Sequence, residues 1–234
     1  MKTAAGLVVL VSLLLAPMGP TGAAAQESDN AVFHYSLLDV DVATSSDFVV
    51  GRWHATGWIG TDFDRVWWST EGEGLDRELE GAEAMLLYGR YVRRFWDLVV
   101  GYRHEVLPAS QGYLTVGVMG LAPYWFEVSL FGFVSYDGDP SLRLEAETDL
   151  FLTQRAVLTL GGEADWLITG DDTLDLDAGF RTIELGIRTR YEIRRKFAPY
   201  VDLTWVDEAQ PRTLLPGAVE AGRFRLGAGL RLIY

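Results

Sequence analysis

The stretch GRFRLGAGLRLIY, residues 222–234, alternates from Arg223 to Leu232. Phe224, Leu226, Ala228, Leu230, Leu232 and Tyr234 share one parity. Arg223, Arg225, Gly227, Gly229 and Arg231 share the other. A period of two puts these sets on opposite faces of a strand. One face is hydrocarbon ending on an aromatic ring; the other is cationic. A soluble sheet seldom gives its last strand such an apolar face.

The same pattern recurs along the chain. Twelve segments alternate: 32–42, 49–60, 63–72, 82–92, 95–106, 112–121, 125–135, 141–152, 156–168, 183–193, 198–206 and 222–234. Each is near the 9–11 residues, or a little more, that a tilted membrane-crossing strand needs. The connections alternate too. Short ones lie at TD near 61, RR at 93–94, APY at 122–124, TQR at 153–155 and RRKF at 194–197. Longer ones are ATSSDF, EGLDRELEG, LPASQ, YDGDP, TGDDTLDLDAGFRT and DEAQPRTLLPGAVEA. Short periplasmic turns and long outer loops mark bacterial outer-membrane barrels. The expected fold is therefore all-β: a transmembrane antiparallel up-and-down β-barrel of about 12 strands, of outer-membrane type. The stretch GLAPYWFEVSLFGF shows the expected division. Phe126, Val128 and Leu130 turn to lipid, and Glu127 and Ser129 to the lumen. Phe95, Trp96, Tyr124, Trp125, Phe197, Tyr200 and Tyr234 fall at the predicted periplasmic ends, where an aromatic girdle belongs.

The N-terminus reads differently. Lys2, an apolar run from Ala4 to Ala16 and small residues ending Ala23-Ala24-Ala25 have the form of a secretory signal, with cleavage expected before Gln26. The expected organisation is a signal peptide at 1–25, a short periplasmic segment at 26–32 and one barrel domain at 33–234. Cysteine is absent, so no disulfide frame exists. A net charge of −13 excludes nucleic acid as a natural partner.

Parity also assigns the inner charges. Arg65 and Glu71, then Asp97, Arg103 and Glu105, then Arg143, Glu145, Glu147 and Asp149, then Glu163 and Asp165 point inward. Glu184, Arg188, Arg190, Glu192 and Arg194 follow. Arg90 instead shares a face with Leu86 and Tyr88. Interleaved signs on neighbouring strands predict pairing across the ladder. Such a lumen is partly filled and is no wide pore. The loop carboxylates, such as Asp171, Asp172, Asp175 and Asp177, lack calcium-loop spacing and read as a solvated acidic rim.

Six ordered blocks carry a resemblance: DFDRVWWSTEGEG, FWDLVVGYRHE, GLAPYWFEV, RLEAETDLFLTQR, ELGIRTRYEIRRKFAPYV and GAGLRLIY. Together the chain from about 33 to 234 resembles the copper resistance protein B family. The resemblance implies an outer-membrane barrel, copper ions as ligand, and a role in copper tolerance, with periplasmic copper-handling proteins and membrane lipid as partners. Many family members carry a Met- and His-rich segment before the barrel. Here QESDNAV has neither residue. The soft donors left are His34, His54, His104, Met85 and Met119; thioether and imidazole suit copper. His54, His104 and Met119 are the candidate metal-binding residues, with His54 and His104 toward the predicted outer ends. The alternative is a general diffusion channel or structural envelope barrel with no metal preference. No Ser–His pair is visible within a strand, so no enzyme and no organic cofactor are expected.

Overall fold

Backbone amides and carbonyls inside a bilayer find no water, so a sheet that crosses it must close on itself. This one closes. The computed structural model describes residues 31–44, 48–75, 78–171, 175–209 and 222–234. The signal sequence expected at 1–25 and most of the segment at 26–32 lie outside them, as do Asp172 and residues 210–221 of the DEAQ loop.

The strands are β1 (Phe33–Thr44), β2 (Val49–Gly60), β3 (Asp64–Leu75), β4 (Glu78–Arg93), β5 (Trp96–Leu107), β6 (Gln111–Ala122), β7 (Phe126–Ser135), β8 (Pro140–Phe151), β9 (Ala156–Leu167), β10 (Gly179–Tyr191), β11 (Phe197–Glu208) and β12 (Arg223–Ile233). Each pairs antiparallel with its chain neighbours, and β1 closes on β12 through register pairs running from Leu37–Ile233 to Thr44–Leu226. Every alternating segment of the sequence is a strand.

The faces are inverted relative to a soluble barrel. Outside, Val40, Val42, Leu86, Leu98, Val100, Leu114, Val116, Leu144, Leu185, Ile187, Val201 and Leu226 are all exposed. Burying one such side chain is worth about 1.5–3 kcal/mol, so a continuous band of them is stable only against lipid. Inside, the buried set includes Asp39, Arg103, Glu105, Arg143, Asp165, Arg190, Asp202, Arg225 and Arg231.

Three expectations need correction. The long outer connections shrink: β3 runs on to Leu75 and β4 starts at Glu78, so most of EGLDRELEG is hairpin, with a register shift at Glu73/Gly74. Only the β9–β10 and β11–β12 connections remain long. Tyr200 is not a girdle residue. It is buried in the lumen, where its hydroxyl donates to Asp41 Oδ2 at 2.7 Å, because it shares parity with buried Asp202 and not with outward Val201. Arg194 lies exposed in the β10–β11 turn and not on the inner wall, since β10 ends at Tyr191.

Candidate functional site: the lumen

Strand parity puts arginines and carboxylates inside, and twelve strands leave them room to reach across. Arg143 on β8 is 5% exposed. Its Nε donates to Asp165 Oδ1 at 2.8 Å on the adjacent β9. Its Nη1 donates to Glu83 Oε1 on β4 at 3.0 Å and lies 3.4 Å from Glu71 Oε1 on β3. Glu163 Oε1 is 3.1 Å from Nε. Glu71 and Glu83 face each other directly across the β3–β4 ladder, a repulsive placement for like charges. The guanidinium reaching over from β8 offsets that repulsion.

Other pairs also span the lumen. Arg181 on β10 donates to Glu105 on β5 at 2.9 Å. Arg188 on β10 donates to Asp39 on β1 at 2.7 Å. Arg52 on β2 bridges Asp41 at 2.7 Å and Asp202 on β11 at 2.8 Å. Arg225 on β12 reaches Glu73 on β3 at 3.0 Å. The expected pairing along the ladder therefore exists, as in Arg143–Asp165, but much of the lattice is strung across the barrel. Fork-shaped guanidinium groups suit this, because each holds two or more carboxylates at once.

The wall from β3 to β7 is different. Leu87, Val99, Tyr113, Phe131 and Phe133 form a buried inner cluster, with Trp67, Met85 and Met119 packed against it. Phe131 and Phe133 continue the parity of Glu127 and Ser129. The signal was present in GLAPYWFEVSLFGF, but an inner face read only for charge passes over it. Gly117 makes room: a Cβ there would meet the Phe131 ring at 2.7 Å. Gly229 does the same for Tyr200 on the charged wall. The two walls meet at Arg103, whose guanidinium lies 4.7 Å from the Phe133 ring and 5.1 Å from that of Tyr113 while it pairs with Glu83 and Glu105.

The three candidate ligands do not come together. His54 shares parity with the inward Arg52 and sits in register between Asp39 on β1 and Glu71 on β3. Met119 lies against the apolar cluster. His104 falls between buried Arg103 and Glu105, so it points outward. It stacks on Tyr102 at 6.1 Å, with Ser110 Oγ 3.5 Å from its Nε2. His34 packs on Tyr234 at 5.8 Å. Among the described residues no group of three His, Cys, Asp or Glu side chains is placed to hold a metal ion. Met85 is a second thioether packed on the same cluster as Met119.

A family model described as copper resistance protein B precursor (CopB) matches residues 33–234, the whole barrel. The chain belongs to the copper resistance protein B family. A relative named copper resistance protein B from Escherichia coli is 42% identical over 76% of this chain and 60% of its own length. A copper resistance protein B homolog from Pseudomonas syringae pv. tomato is 36% identical over 77% of this chain and 62% of its own. This family member thus spans about three fifths of the length of those relatives. Among solved structures, the NanC porin matches with a TM-score of 0.58 at 11% identity, covering 83% of this chain and 98% of that one. The KdgM porin matches at 0.54 and 12% identity, covering 84% and 98%. At such identities these two share the fold alone, and that fold is an outer-membrane barrel.

Proposed function

We propose that the chain acts in copper tolerance at the bacterial outer membrane, as a barrel that binds or exports copper ions and catalyses no reaction. The family match over the entire barrel carries this reading. The lumen supports a sparing use of copper. His54 takes the inner parity of β2, and Met85 and Met119 pack against the inner apolar cluster. These are the neutral donors that soft copper prefers, set among carboxylates neutralised by arginine. Copper would meet them in passage, one or two donors at a time. The lattice of guanidinium groups strung between distant strands opposes wide, unselective diffusion.

The test is growth of a deletion strain against its parent over rising copper, with zinc and detergent in parallel. Sensitivity to copper alone is expected. Equal sensitivity to all three would replace this reading with a general envelope barrel. Copper sensitivity restored by the wild-type gene but not by a Met85→Leu/Met119→Leu/His54→Gln form would assign the cargo to the lumen. Full restoration by that form would remove these residues from the path.

A further inference from the structure

A groove of about 890 Å³ lies on the outer wall at the short-turn end, where the β4–β5 and β6–β7 turns meet. Leu121 N donates to Phe95 O at 3.0 Å and joins the two turns. Val92, Trp96 and Val118 line its lower part, on the lipid-facing parity. Arg93 and Arg94 stand at its upper edge, both exposed. Neither forms an ion pair among the described residues; Arg94 lies 5.0 Å from the Phe95 ring.

The turn backbone is unusual. Phe95, Tyr124 and Trp125 have φ of 68°, 67° and 64°. That region favours glycine, and other residues there cost on the order of 1–3 kcal/mol each. Tyr124 is 87% and Trp125 76% exposed. Three aromatic rings are thus held in an unfavourable backbone geometry with little protein against them. The cost has a rationale if they sit at a bilayer interface, where amphipathic rings are stabilised.

Charge adds direction. The exposed residues of the short turns include Arg93, Arg94, Arg155, Arg194, Arg195 and Lys196, whereas Glu78, Glu80, Asp137, Asp177 and Glu208 lie toward the opposite end. Among the described residues this rim carries these six exposed cations against one exposed turn carboxylate, Asp62 of the β2–β3 turn. We propose that this groove binds one anionic phospholipid of the periplasmic leaflet. Its phosphate sits between Arg93 and Arg94, and its acyl chains lie on Val92, Trp96 and Val118. Tyr124 and Trp125 flank the glycerol region.

Native mass spectrometry of the folded barrel tests it, using micelles that hold equal amounts of palmitoyl-oleoyl phosphatidylglycerol and phosphatidylcholine. Retention of the glycerol lipid should exceed that of the choline lipid by about thirtyfold, the scale expected of two arginines at an anionic surface. High salt should lower the ratio. Arg93→Gln/Arg94→Gln should abolish the preference, and Arg194→Gln/Arg195→Gln should keep it. Gel mobility before and after boiling checks that each form is folded, and Trp125→Ala serves if the first pair does not fold. Equal retention of both lipids by the wild type would overturn the site. So would equal losses in the two double variants, which would mean diffuse rim charge. A photoreactive residue at position 124 that captures a protein in intact envelopes, with no lipid preference in the purified barrel, would put a protein partner in the groove instead.

Discussion

The two walls of the lumen solve one problem by different means. From β3 to β7 much of the space is filled by Leu87, Val99, Phe131 and Phe133, side chains that need only contact, with Tyr113 beside them donating to Glu105 at 2.9 Å. From β8 round to β2 it is filled by arginines that need named partners, such as Arg188 on Asp39 and Arg52 on Asp202. Packing tolerates substitution in proportion to the volume lost. A buried charge tolerates loss of its partner poorly, because the remaining ion has no water to fall back on. The charged wall is therefore the brittle one, and the apolar wall the forgiving one.

The contrast breaks most easily at Arg143. Arg143→Ala leaves Glu83, Glu163 and Asp165 without their shared cation. It should cost about 3–5 kcal/mol in urea unfolding of the lipid-reconstituted barrel. It should also raise single-channel conductance in planar bilayers, since the cross-barrel link is gone. A loss below about 1 kcal/mol would mean that water already screens the lattice.

Phe131→Ala comes next. At 1% exposure it should cost about 3 kcal/mol in the same assay, with conductance near wild type. A conductance rise matching that of Arg143→Ala would make the apolar cluster an equal part of the closure. Met119→Leu keeps volume and should cost under about 1.5 kcal/mol. If copper tolerance falls while stability holds, the sulfur is used for its chemistry; if neither changes, Met119 is packing. His104→Ala, on the outer wall against Tyr102, should stay within about 0.5 kcal/mol and leave tolerance unchanged. A copper-specific defect there would move the metal path outside the lumen.

The outer wall was legible in the sequence because lipid asks the same thing at every site. Phe224, Leu226, Leu230 and Leu232 need no partner to be recognised as outward, and all are exposed. The inner wall was legible only as a direction. Parity put Arg143 and Glu71 inside, but they lie 72 residues apart in the chain and on β8 and β3. Arg52 and Asp202 are 150 apart. Period two tells which face a residue takes and says nothing of which strand lies opposite. Tyr200 has the chemistry of a girdle ring but the parity of the inner face, and parity decides; Phe131 takes the inner parity without carrying the charge that marks its neighbours there. Loop lengths failed where hairpins such as β3–β4 continue past the membrane band, since polar strand and polar loop have similar composition.

The closing seam carries one more consequence. Arg231 on β12 donates Nε to Asp39 Oδ1 at 2.9 Å and Nη2 to Asp39 Oδ2 at 2.8 Å, a two-pronged grip between the first and last strands. Backbone pairing alone does not distinguish one free edge from another, and two open sheets side by side in a membrane offer four. A matched guanidinium and carboxylate at one register gives the edge an identity. β12 meets a β1 edge in a single alignment, and a slip of one residue would turn Arg231 into hydrocarbon. The grip thus works as a checksum on alignment: a sheet that closes out of step, or pairs β12 with any edge other than β1, leaves an ion unanswered.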